Sequence, residues 1–130
     1  MIKKARQRLV LCRLMLDIMR IVHDTYAPPS DSFGTRLETF FVGLCVAMGE
    51  IEGKPFSVAK IAGFMSMPRT TVIRRLDQLQ KWGLIDRRDR RYYMNEQTLN
   101  SLIGMRSYQQ VRRFLSKANE ELSVLDTLAD

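Results

Sequence analysis

Arg69, Thr70, Thr71, Arg74, Arg75, Gln78 and Lys81 follow one another at spacings that suit one helix, and Arg87, Arg88, Arg90 and Arg91 crowd together just beyond them. Cationic groups at this density repel one another until something negative lies between them, so they point to a polyanionic partner. A guanidinium is a planar, two-pronged donor that matches phosphate oxygens and the guanine edge, and a threonine can meet a thymine methyl or a base edge. The chemistry on offer is recognition of a polyanion, and a charge total alone does not separate nucleic acid from a membrane surface. Residues 54–94 hold 10 Lys/Arg against 3 Asp/Glu, whereas residues 1–53 hold 7 against 6 and residues 95–130 hold 4 against 5. The formal charge of +7 therefore sits in the central segment.

Catalysis finds no comparable constellation. His23 is the sole histidine, and beside Asp24 and the Pro28-Pro29 break it reads as a helix-end residue rather than a ligand. Neither a GxxxxGK[ST] phosphate loop nor a GxSxG elbow occurs. Glu50 with Glu52, and Glu120 with Glu121, stand too close in sequence to face one pocket from a helix. Cys12 and Cys45 are the only cysteines and lie far apart in sequence, so neither a CxxC pair nor a zinc-type cluster exists, and a reducing, cytoplasmic setting fits. The expectation is a protein with no catalytic residue, no metal and no cofactor. Residues 1–22 mimic an export signal in their basic start, but Arg13, Asp17 and Arg20 interrupt the apolar run, and they exclude a membrane span of about 20 apolar residues.

With 130 residues, the chain has the length of one domain. Within it we expect an N-terminal dimerisation helix and loop (1–34), a DNA-binding lobe (35–94) and a C-terminal dimerisation helix (95–130). From Ala5 to about Asp24 the polar residues Arg13, Asp17, Arg20 and Asp24 trace a single stripe. Nearly all else there is apolar, so this helix needs partners on several sides. Residues 27–34, rich in Pro and Ser, read as a hinge. A helix then follows from about residue 35 to 51, with Leu37, Phe40, Phe41, Leu44, Ala47, Met48 and Ile51 at three- and four-residue steps. Gly53, Lys54 and Pro55 end it.

Ser57 can cap a short helix whose inner face is Val58, Ile61, Ala62 and Met65. Pro68 suits the start of the next, from about Arg69 to Trp82, with Val72, Leu76 and Leu79 inward and Gly83 as a left-handed stop. Residues 84–87 and 91–94 read as two strands joined at Arg88, Asp89 and Arg90. Asn95 can cap a further helix that Gly104 bends or interrupts. Beyond it Tyr108, Val111, Leu115, Ala118, Leu122 and Leu125 repeat at alternating steps of three and four. That seam belongs either to the chain's own core or to a second subunit, and the all-round apolar first helix favours the second.

The order helix, tight turn, helix, two-stranded ribbon predicts a mostly α, winged helix-turn-helix fold with a two-stranded β-wing and dimerisation helices at both ends. Ile61-Ala62, Arg69-Thr70-Thr71-Val72, the Leu76 and Leu79 spacing and Gly83-Leu84-Ile85 resemble bacterial winged-helix transcriptional regulators, in particular the MarR family. Asp89-Arg90-Arg91 resembles that family's wing motif, in which the aspartate fixes an arginine that enters the minor groove, although the wing here is shorter. The resemblance is close over the central 40 or so residues; the flanking helices fit only in order and in a dimer role. Some regulators similar to this one sense oxidants through a cysteine on the first helix, which draws notice to Cys12; a buried structural cysteine is the plainer reading.

Taking about 100° per residue, the helical face opposite Val72, Leu76 and Leu79 carries Thr70, Arg74, Asp77, Gln78 and Lys81. We expect Ser57, Arg69, Thr70, Thr71, Arg74, Arg75, Gln78, Lys81, Arg87, Arg88, Arg90 and Arg91 to contact double-stranded DNA. Arg74 and Thr70 would read bases, Arg75 and Lys81 would hold phosphates, and the wing arginines would enter a narrow minor groove. Asp77 and Gln78 read equally well as solvated residues. Leu9, Leu11, Cys12, Leu16, Met19, Val111, Leu115, Ala118, Leu122 and Leu125 are the expected homodimer interface. Phe40, Phe41, Met48, Met15 and Met19 read as core or as the lining of a small-molecule effector pocket. The function expected is a homodimeric, sequence-specific regulator, a repressor, on an inverted repeat. Two alternatives use the same lobe: a sequence-tolerant accessory protein of plasmid or phage replication or partition, or a winged helix that meets an acidic protein.

Overall fold

A computed structural model of the chain describes residues 2–25, 32–102 and 105–129. The chain is mostly helical with one small antiparallel sheet, in the order α1 (Ile2–Thr25), α2 (Phe33–Glu52), α3 (Val58–Met65), α4 (Arg69–Lys81), β1 (Ile85–Arg88), β2 (Arg91–Met94), α5 (Glu96–Leu102) and α6 (Met105–Asp126). Most of the expected hinge and Gly104 lie outside the described residues. The chain divides into two compact units, one formed by Met1–Thr25 with Ile103–Asp130 and the other by Tyr26–Leu102.

The central unit is built on α2. Ser32 caps it, its hydroxyl accepting from the Thr35 N–H at 3.2 Å, so the helix starts two residues earlier than its apolar pattern indicates. Gly53 closes it at φ 70°, where a side chain would be strained. Of the apolar row whose spacing marks this helix, only Ala47 is buried. Val42, Cys45, Val46, Ala47 and Gly49 are buried together with Thr39, while Leu44, Met48 and Ile51 are exposed and Leu37, Phe40 and Phe41 are half-buried. Both faces are apolar, so periodicity alone does not choose between them. The buried face carries the small residues, and at Gly49 an added Cβ would stand 2.9 Å from the Phe56 ring. Close approach of neighbouring elements selects that face. Phe40 and Phe41 lie with ring centres 6.0 Å apart outside the buried core.

Against this face pack α3, α4 and the hairpin, giving a core of Val42, Val46, Phe56, Ile61, Val72, Leu76, Leu79, Ile85, Tyr92 and Met94. Each fully buried aliphatic side chain there stabilises the fold by about 1.5–3 kcal/mol. Ser57 caps α3 as expected, accepting from Lys60 N–H at 3.2 Å. Ser66 ends it in the left-handed region at φ 52°, and the Met67 N–H returns to the Ala62 carbonyl at 3.0 Å. Pro68 stands just before α4, which begins at Arg69 as the spacing predicts. Gly83, at φ 73°, ends α4, with the Leu84 N–H donating back to the Leu79 carbonyl at 3.1 Å.

The strands pair Ile85 with Met94, Asp86 with Tyr93, Arg87 with Tyr92 and Arg88 with Arg91. Arg88 thus belongs to the ladder, and the tip is Asp89-Arg90 alone, with Asp89 at φ 57°. Aspartate tolerates this left-handed conformation better than most residues, which is how the hairpin turns without Gly or Asn. Asn95 caps α5 through Thr98 N–H at 2.7 Å and donates to the Gly83 carbonyl at 3.3 Å.

In the other unit α1 and α6 pack together, and the Gln7 amide donates to the Asp126 carboxylate at 3.1 Å. Val10, Ala118 and Leu125 form its small buried cluster, with Leu14 and Leu122 against it. Ala118, Leu122 and Leu125, expected between subunits, are therefore used within the chain. The α6 seam also breaks at Tyr108 and Leu115, which are exposed. α6 contributes Ala118, Leu122 and Leu125 to this cluster and leaves Tyr108, Leu115 and Val124 exposed, and α1 likewise has more apolar surface than α6 covers. Ile2, Leu9, Leu11, Cys12, Met15 and Leu16 remain exposed, and Met19 and Val111 are half-buried. No helix among the described residues is long and apolar enough to cross a membrane.

Candidate nucleic-acid interface

The core fixes the orientation of α4. Because Val72, Leu76 and Leu79 are buried, the opposite side must face outward, and Thr70, Arg74, Asp77 and Lys81 are exposed there, with Arg69 at the start of the helix. Thr71 and Gln78 are half-buried on one flank of this face. Arg75 departs from expectation: it is only 8% exposed, because its position three residues after Val72 and four before Leu79 sets it on the inward stripe. Its Nη1 donates to the Gln78 side chain at 3.4 Å, and its Nε is buried without a partner. An exposed phosphate-holding arginine is not what the fold makes of it. On the other flank Ile73, 43% exposed, is an apolar side chain next to the polar face that sequence reasoning passed over. The signal was present, since Ile73 stands about 100° from the buried Val72.

Alternation along the strands sorts the hairpin. Ile85, Tyr92 and Met94 turn into the core. Arg88, on the opposite side, stacks over the Tyr93 ring at 4.7 Å from its centre. Arg87 donates through Nε to the backbone carbonyl of Asp89 at 2.9 Å. The aspartate thus steadies an arginine by its backbone, and the arginine is Arg87 rather than Arg90 or Arg91. Tyr92 N–H donates to the Phe56 carbonyl at 3.3 Å, which ties the hairpin to the segment that leads into α3.

Between the hairpin and the starts of α3 and α4 lies an open cleft of about 510 Å³, lined by Ser57, Val58, Ala59, Arg69, Arg87, Arg90, Arg91 and Tyr92. Four arginines line it and no carboxylate does. Five of the residues expected to contact DNA, namely Ser57, Arg69, Arg87, Arg90 and Arg91, meet here although they come from three separate stretches of sequence. Thr70, Arg74 and Lys81 occupy the exposed face of α4 instead, and Arg88 remains with Tyr93. The positive ends of two helices also open toward this side, α3 beginning at Val58 and α4 at Arg69. Lys60, whose ammonium sits 4.1 Å from the Phe56 ring centre, adds a cation on α3 that the sequence reading did not single out.

Of the two cysteines, Cys45 is buried and burial pushes its thiol pKa up, which keeps it protonated. Cys12, read from the sequence as a buried structural cysteine, is exposed within the chain because α6 packs on the side of α1 that carries Val10 and Leu14. Among the described residues no group of three or more His, Cys, Asp or Glu side chains stands together as metal ligands would. No family model and no curated protein matches the chain.

Proposed function

We propose that the protein is a double-stranded DNA-binding transcriptional regulator of the winged helix-turn-helix type, similar to the MarR family, in which α3 and α4 are the helix-turn-helix and the β1–β2 hairpin is the wing. The observation that carries this reading is the convergence of Arg69, Arg87, Arg90 and Arg91 on one carboxylate-free cleft beside an exposed α4 face of Thr70, Arg74 and Lys81. A helix of this kind fits a major groove, with side chains of its first turn reaching furthest, while arginines on a projecting hairpin suit the flanking phosphates or a narrow minor groove. Arg74 is the base reader in this scheme, and Arg69 and Lys81 grip the backbone. Arg75 is left out of the contact set because it is buried.

A homodimer follows from the exposed apolar side of α1, where Leu9 and Leu16 remain 49% and 64% exposed after α6 has packed. Covering that side with a second copy removes apolar surface from water and sets two α4 helices to read an inverted repeat. Binding there represses by obstructing a promoter. The deciding experiment selects bound duplexes from a randomised pool with purified protein at about 0.15 M salt, where exposed charges are already largely screened. An enriched inverted repeat is the expected result. Retention of duplexes without enrichment supports the sequence-tolerant accessory reading instead, since contacts to phosphates carry no sequence information. Absence of retention counts against DNA as the partner.

A further inference from the structure

The cleft between the hairpin and the starts of α3 and α4 gathers four arginines around one open space. Its volume, about 510 Å³, lies within the range of pockets that hold small ligands. Arg69, Arg87, Arg90 and Arg91 bring four guanidinium groups to its lining, and no lining side chain is acidic. A single phosphodiester brings one negative charge to this setting. A chain of linked phosphates brings several in a compact volume, about four for triphosphate at neutral pH, since the second ionisation of a phosphate lies near 6. Guanidinium forks pair with phosphate oxygens through two parallel hydrogen bonds, which suits several forks around one oligophosphate. Val58 and Ala59 supply an adjoining apolar wall.

We infer that this cleft binds a free oligophosphate group, of the kind that nucleoside di- and triphosphates carry. The same phosphate chemistry is shared by the DNA backbone, so the free ligand and the duplex compete for Arg69, Arg87, Arg90 and Arg91. The competition rests on the DNA-binding reading, while occupation of the cleft does not.

The test is calorimetric titration of the full chain with inorganic triphosphate, alongside sulfate at matched ionic strength, with duplex displacement followed by fluorescence anisotropy. Saturable binding of one triphosphate per chain is expected. Arg90→Ala combined with Arg91→Ala should weaken it by about tenfold or more, since both are exposed and each removes a charge-assisted contact. Arg74→Ala should alter duplex preference and leave triphosphate binding in place, because Arg74 is not part of the cleft lining. Triphosphate binding no stronger than that of sulfate, or indifferent to Arg90 and Arg91, would overturn the inference. If duplex binds but triphosphate displaces it no better than sulfate, the cleft inference falls and the DNA reading stands. If triphosphate binds with the expected mutational loss while no duplex does, the inference stands and the DNA reading falls.

Discussion

The backbone amide of Tyr92 donates to the carbonyl of Phe56 across 3.3 Å, and this bond joins the second strand of the hairpin to the segment that opens α3. Both residues are buried. Their link holds Arg91 and Arg87 on one side of the cleft and Ser57 on the other, so the position of the cationic groups depends on the packing of Phe56. Gly49 makes that packing possible.

Replacing Gly49 with alanine would set a Cβ 2.9 Å from the Phe56 ring and 3.0 Å from both Lys54 O and Phe56 N. Two of those neighbours are backbone atoms and cannot swing aside. A loss of about 1–3 kcal/mol is expected, typical of overpacking, measured by urea denaturation. A stability equal to the parent's would mean that this segment can move away from α2 at little cost.

Arg74 and Arg75 are adjacent in sequence and opposite in environment. Arg74→Ala should cost about 1–3 kcal/mol on a preferred duplex and flatten the preference among sequences, whereas equal losses on all duplexes would refute base reading. Arg75→Met should leave the duplex preference intact. It should also be neutral or stabilise the fold by up to about 2 kcal/mol, because it removes a buried, incompletely bonded guanidinium and keeps the volume. Parallel binding and thermal unfolding of the two variants separates these roles.

Leu9→Asp with Leu16→Asp changes side chains that the Val10, Ala118 and Leu125 cluster does not need. Sedimentation should find a folded monomer whose DNA binding is weak. Leu125→Ala acts instead on the cluster itself and should destabilise by about 2 kcal/mol or more through the cavity it leaves. A dimer that survives both aspartates would place the subunit contact away from this side of α1.

The cysteines should differ in reactivity. Cys12 is exposed, while Cys45 is buried in α2 with its thiol held protonated by desolvation. A thiol reagent at neutral pH should modify Cys12 rapidly in the Leu9→Asp, Leu16→Asp variant and more slowly in the dimer that covers this side of α1, and should reach Cys45 only after unfolding, because the thiolate is the reactive species. Mass spectrometry of the labelled peptides reads this directly, and fast labelling of Cys45 would mean that α2 opens readily.

Much of the local structure could be read from the chain because it depends on neighbours in sequence. Ser57 and Asn95 act as caps, Gly53 as a helix end, Gly83 as a left-handed stop, and Val72, Leu76 and Leu79 as the inward row of α4, each by rules that operate within a helical turn or two. The left-handed Ser66 and Asp89 were not foreseen at their positions, since neither residue type demands that conformation. Of the candidate site, the cationic content and the outward set Thr70, Arg74 and Lys81 followed from periodicity. Arg75 did not, because arginine on an apolar stripe can point either way until the neighbours that bury it are in place.

What composition and spacing determined was a basic central segment, a short helix pair and a ribbon beyond it. Tertiary structure decided which apolar face of α2 is buried, because close packing against Phe56 and α4 admits glycine, alanine and valine and excludes the bulkier face. It also decided that Ala118 and Leu125 serve the chain's own α1–α6 pair, since two apolar helices joined in one chain meet without the entropy cost of bringing in a second molecule. The cleft was settled at the same level. Ser57, Arg69 and the hairpin arginines are separated by up to 34 residues in sequence, and the shared core of α3, α4 and the hairpin, with the backbone bond between Phe56 and Tyr92, holds them around one space.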